Sequence, residues 1–160
     1  MRRIKTMIGL ALVTSIALPV AGPGQVVIPL MVGRWEGDAQ MVVNWTRQRT
    51  LGVSIAIFAN DSVAGTVGDA RLVNARFLKS PGSLPGELRW KTDYVIEANL
   101  EGPIIRAENI YRTTVRMPLS WIGDGFRGGI NTSGWMVGGV EYRAIAANVL
   151  LRRVLVADQK

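Results

Sequence analysis

Residues 123–128 read GDGFRG, a literal G-x-G-x-x-G. In a dinucleotide site such glycines turn a strand into a helix whose N-terminus takes the pyrophosphate. That chemistry requires a helix after the loop. RMPLSWI leads in with strand-like residues, but FRGGINTSGW follows, rich in Gly, Asn, Thr and Ser and without a helical apolar face. The segment therefore reads as a tight hairpin. Gly123-Asp124-Gly125 would supply the positive φ angles of a short turn, and Gly128-Gly129 a bend or bulge. GTVGDA at 65–70 lacks the Gly-Lys-Ser/Thr ending of a phosphate loop.

Two carboxylate pairs sit at strand spacing, Glu36/Asp38 and Asp93/Glu97. Such pairs can cleave glycosidic bonds, but the plainer reading is a solvated face. Cysteine and histidine are both absent. This excludes disulfides, thiolate nucleophiles, Ser-His-Asp triads and His-ligated zinc. No S-x-x-K spacing supports a Ser/Lys nucleophile. The chain is therefore read as non-enzymatic, with no catalytic residue, metal ligand or cofactor assigned.

The remaining candidates are aromatic and basic. Five tryptophans (Trp35, Trp45, Trp90, Trp121 and Trp135) are joined by Tyr94, Tyr111 and Tyr142. Of these, Trp90, Tyr94, Trp121, Trp135 and Tyr142 are the candidate contacts for an apolar or amphipathic ligand in a barrel mouth. Each could instead fill the core. Arg106, Arg112, Arg116, Arg127 and Arg143 could meet an anionic partner, but a solvated outer face is the simpler expectation.

The elements that would carry these residues are strands. After residue 30 the apolar pattern has period two. Trp35, Gly37, Ala39, Met41 and Val43 share one face, and Glu36, Asp38 and Gln40 the other. LGVSIAIFA (51–59), VAGTV (63–67), GDARLVNARFL (68–78) and TDYVIEANL (92–100) continue the series, with a turn at Asn60-Asp61-Ser62 and a loop at KSPGSLPG (79–86). Gly65 and Gly68 suggest a bend or bulge. RTTVRMPLSW (112–121) carries Pro118, which predicts an edge or a bulge. FRGGINTS (126–133) and WMVGGVEYR (135–143) follow. AIAANVLLRRVLV (144–156) allows a helix by composition, yet Ile145, Ala147, Val149 and Leu151 alternate as in a strand.

About eight antiparallel strands without a βαβ unit predict an all-β fold, an up-and-down barrel or a two-sheet sandwich. The organisation reads as a signal peptide at 1–21, an N-terminal extension at 22–32, a barrel domain at 33–156 and a tail at 157–160. The leader has a basic start (Arg2, Arg3 and Lys5), an uncharged apolar run and small residues at Ala17 and Ala21, with cleavage after Ala21 or Ala17. Removing residues 1–21 lowers the net charge from +7 to +4, because it takes three basic residues and no acid. That mild charge, without a basic helix or a nucleic-acid motif, does not suggest nucleic acid as a partner. An exported chain without cysteine suggests a bacterial periplasmic or secreted protein. In that setting the three Asn-x-Ser/Thr matches at Asn44, Asn60 and Asn131 carry no meaning.

Gly33-Arg34-Trp35, opening the first of about eight strands, resembles the G-x-W start of the calycin group of lipocalins, fatty-acid-binding proteins and avidins. The resemblance implies that Trp35 closes one barrel end and that a basic residue of the last strand, Arg152 or Arg153, packs across it. INTSGW (130–135) is faintly similar to an avidin strand. The resemblance covers roughly residues 33 to 156, and no biotin-contacting set carries over. The pattern is also similar to uncharacterised exported bacterial β proteins. An outer-membrane barrel would show polar-in, apolar-out strands and a terminal aromatic residue. This chain ends VLVADQK and places Arg152 and Arg153 in its last strand.

The sequence thus predicts an exported, non-catalytic binder of a small apolar or amphipathic ligand. The alternative is an envelope-associated interaction protein with a filled barrel. Small inward residues (Gly37, Ala39, Gly65, Ala98 and Ala147) would leave a cavity, whereas inward Trp and Met would fill it.

Overall fold

In the computed structural model the described residues are 29–43, 46–80, 92–105, 110–132, 135–136 and 145–155. The predicted leader, Trp45, Trp90, Tyr142, Arg106 and Arg143 lie outside them. A short 3-10 turn, Pro29–Met31, precedes β1 (Gly33–Met41), β2 (Thr50–Ile57), β3 (Ser62–Val67), β4 (Ala70–Lys79) and β5 (Tyr94–Glu101). Then come β6 (Ile110–Tyr111), β7 (Thr114–Ile122), β8 (Gly125–Thr132), β9 (Trp135–Met136) and β10 (Ile145–Arg153). β10 is a strand because its alternating residues Ile145, Ala147, Val149 and Leu151 are all buried and those between them are not.

Eight strands close an antiparallel barrel in the order β1-β10-β8-β7-β5-β4-β3-β2, while β6 and β9 pair separately. Neighbouring staves follow one another in sequence, and β1 closes the ring on β10 with Trp35 opposite Arg153. The fold is therefore the up-and-down barrel and not the sandwich. Closure leaves none of the eight staves with an unpaired edge.

Each stave turns its apolar set inward. Trp35, Ala39, Met41, Leu51, Ile55, Phe77, Ile96, Met117, Leu119, Phe126, Ile130 and Leu151 all belong to one buried cluster. Outward stand Arg34, Glu36, Asp38, Gln40, Arg71, Arg76, Glu97, Asn99, Arg127, Asn131, Asn148 and Arg152. This is the reverse of a membrane barrel, which keeps its apolar residues on the outer wall. Val95 is an exception. It lies on the outer face between Leu78 and Pro118 in register, yet it is buried.

Two local expectations change and a third is sharpened. Pro118 makes neither an edge nor a bulge: β7 pairs with β5 and β8 on both sides in unbroken register. The β7–β8 pairing skips Met117 and Pro118, so the missing N–H falls where the ladder already has a gap. Gly128-Gly129 makes no bulge either, since β8 and β10 pair continuously from Gly125 to Thr132. A Cβ on Gly128 would lie 1.9 Å from the Pro118 carbonyl oxygen, so glycine there allows the close approach of β7. The irregularity expected near Gly65 is present: the β3–β4 register shifts between Val63 and Thr66, with the extra residue on β4. Between Val73↔Asn99 and Arg76↔Glu97, two β4 residues, Asn74 and Ala75, face the single residue Ala98. Asn74 takes a left-handed φ of 52°.

The GDGFRG hairpin is the two-residue turn Gly123-Asp124 between Ile122 and Gly125, which pair directly. Of the two glycines in Gly123-Asp124-Gly125, only Gly123 has a positive φ, 62°. Gly125 serves a different need: a Cβ there would sit 2.5 Å from the Leu151 carbonyl oxygen.

Candidate functional site

At one barrel end, β1, β4, β5, β7 and β8 bring a knot of rings together. Phe126 is its hub. Its ring centroid lies 4.8 Å from Trp35, 5.0 Å from Trp121, 5.8 Å from Phe77 and 6.3 Å from Tyr94. Trp35 meets Trp121 edge-on at 5.6 Å, and Phe77 stacks on Tyr94 at 4.9 Å. Edge-to-face and offset pairs at these distances are each attractive beyond the area they bury. Trp35, Phe77 and Phe126 are fully buried, whereas Tyr94 and Trp121 are partly exposed at the rim. Asp93 holds this rim: its Oδ2 accepts the backbone N–H of Trp121 at 3.2 Å. Burial pushes the Tyr94 hydroxyl pKa above its ordinary value, and the nearby Asp93 charge adds to the shift.

The same end is latched from the N-terminal side. The Trp35 indole N–H donates to the Met31 carbonyl at 2.9 Å. Arg153 donates through Nη2 to the carbonyls of Leu30, at 2.9 Å, and Val32. Its guanidinium carbon lies 5.3 Å from the Trp35 ring centroid, within cation–π range. Gly33 precedes Trp35 with φ 143°, and its missing Cβ leaves room for the Arg153 head. Arg152 lies one residue earlier, so the pleat turns it to the outer face opposite Glu36 and Gly125.

The ligand candidates are therefore not one group. Tyr94 and Trp121 meet in the aromatic knot. Trp135 lies on β9, which follows the far end of β8 and pairs with β6 away from that knot. Trp90 and Tyr142 fall outside the described residues. Alternation along β4 and β8 marks Phe77 and Phe126 as inward. What the sequence hides is that Phe126 is the hub, because four strands in register make it one.

The far end is also plugged. Ile104 and Ile105, in the segment after β5, are 1% and 3% exposed and join the core cluster. The Asp69 N–H of the β3–β4 turn donates to the Ile104 carbonyl at 3.1 Å and pins the plug. Of the small inward residues, Ala39, Ala98 and Ala147 are buried within the same cluster, and Ala98 also borders a groove.

The basic and acidic candidates also resolve. Arg112 is not on a solvated face; it is 3% exposed near this second end. Arg116 bridges Glu97 at 3.3 Å across β5 and β7. Asp93 and Glu97 thus serve separate partners and form no acid pair. Glu36 is exposed, accepts from Ser54 Oγ at 3.2 Å and pairs with Arg34 at 3.5 Å. Among the described residues no three Asp or Glu side chains converge on a metal position.

Grooves occur on the outer wall. The larger, about 710 Å³, crosses β4, β5, β7, β8 and β10 and includes Asn74, Arg76, Glu97, Asn99, Arg116 and Asn131. A second, about 460 Å³, lies over β1, β8 and β10 beside Ile122 and Leu150. Neither was foreseeable from single strands, since each is assembled by register. Comparison with protein-family models, with curated proteins and with solved structures finds no match.

Proposed function

We propose that this protein is an exported, non-catalytic binding protein whose barrel is a filled scaffold and whose outer wall makes the contacts. One observation carries the reading: the buried cluster runs without a break from Met31 and Trp35 at one end to Ile104 and Ile105 at the other. A site inside a barrel of this kind needs a chamber on the order of 300–1,000 Å³. Three grooves of that size among the described residues, about 710, 460 and 430 Å³, are lined largely by outward-facing residues. The leader-like residues 1–21 support a periplasmic or secreted location, where the cell envelope is the nearest source of partners. Gly33, Trp35 and Arg153 at one barrel end support a lipocalin-like ancestry for the architecture.

A second reading, a small apolar or amphipathic ligand in the barrel mouth, draws on Tyr94 and Trp121, which are only partly buried at the rim. Native mass spectrometry of the protein exported by its own host separates the two. The filled scaffold gives the bare mass of a chain cleaved near Ala21. A reproducible extra mass, lost on denaturation, overturns it in favour of the mouth ligand.

A further inference from the structure

We infer that the larger outer groove binds a hydroxyl-rich oligosaccharide carrying a carboxylate. This rests on the outer-wall reading and names its ligand. The groove, about 710 Å³, suits a ligand of a few sugar units. Its wall is a cross-strand row in register: Arg76 opposite Glu97, Glu97 opposite Arg116, and Arg116 opposite Asn131. Neighbouring strands stand about 4.8 Å apart, so the row presents a polar group at each step. Asn74 and Asn99 lie beside it and are exposed.

The chemistry of this set selects the ligand. Three carboxamides both donate to and accept from hydroxyls, and the Glu97 carboxylate accepts from them, at fixed spacing. Glu97 bridges Arg116 at 3.3 Å, while Arg76 makes no ion pair among the described residues. The row therefore holds one positive charge in excess, which matches one carboxylate and not a polyphosphate. An extended peptide cannot add as a strand here, because these staves are paired on both sides.

Asn74 supplies an independent pointer. Barrel curvature explains an extra residue in β4. Asn is one of the few non-glycine residues that adopt a φ of 52° readily, and unlike glycine it brings a carboxamide to the groove lining.

The test is a titration of the full mature chain, followed by ¹⁵N NMR, with 3′-sialyllactose, a trisaccharide bearing one carboxylate, as probe and maltotriose as neutral control. The inference expects saturable shifts in the side-chain amides of Asn74, Asn99 and Asn131 and in the Arg76 Nε–H. Maltotriose binds more weakly, and added salt weakens 3′-sialyllactose. Arg76→Gln loses about tenfold in affinity with an unchanged melting temperature, because Arg76 is exposed. Absence of saturable shifts, equal affinity for the neutral sugar, or an unaltered Arg76→Gln variant each overturns the inference. None of these outcomes touches the outer-wall reading, which stands or falls on the bare mass.

Discussion

Trp35 shows how much one side chain carries. It packs on Phe126 and Trp121, donates to the Met31 carbonyl and receives the Arg153 head. Trp35→Ala should therefore destabilise the fold by about 3–5 kcal/mol in urea unfolding. Near-wild-type stability would remove its bracing role. Tyr94 gives a pH signature. Its folded pKa is raised, so its contribution is fully present below the unfolded value and fades as pH rises through the folded one. In an absorbance titration, the wild type should show a tyrosine ionising above the ordinary value of 10.0, and Tyr94→Phe should abolish that late step. Persistence of the late step would assign it to another tyrosine. At this scale the sequence disclosed residue types but not partners. Arg112 reads as one more surface arginine in RTTVRMP and is in fact buried, since burial depends on what packs over the barrel end.

Among the elements, the β7–β8 hairpin separates two uses of glycine. Asp124→Asn should change stability by less than about 0.5 kcal/mol, because the side chain is exposed. Gly125→Val should cost about 1–3 kcal/mol, because its Cβ would press on the Leu151 carbonyl. Equal melting temperatures for the two variants would contradict this geometry. The β4 bulge makes a graded prediction. Asn74→Gly should be neutral or slightly stabilising, and Asn74→Val should lose about 1–2 kcal/mol by chemical denaturation, since a branched side chain resists a left-handed φ. An insensitive Asn74→Val would mean the bulge relaxes. The strands were legible because burial on one face imposes period two, as along Trp35, Gly37, Ala39 and Met41. The irregularity at Gly65 was legible too, but that its extra residue sits on β4 is a property of the pairing.

For the whole molecule, about eight alternating strands without helices leave few architectures, so the barrel was within reach of the sequence. The packed interior was not: Ala39, Ala98 and Ala147 read alone suggest empty space, whereas they belong to one buried cluster with Phe77, Phe126 and Met117. The outer groove was equally hidden, since Arg76, Glu97, Arg116 and Asn131 come from four strands and meet only in register. The seam between β1 and β10 has a consequence of its own. Trp35 faces Arg153 across it, and the Val154 N–H donates to the Arg34 carbonyl at 2.9 Å, so the barrel starts and stops at the same place. The staves thus form a ring with no obligatory first member. A chain rejoined by a short linker from Val154 to Leu30 and opened between Gly123 and Asp124 should fold to the same barrel, with the near-ultraviolet dichroism of its aromatic knot intact.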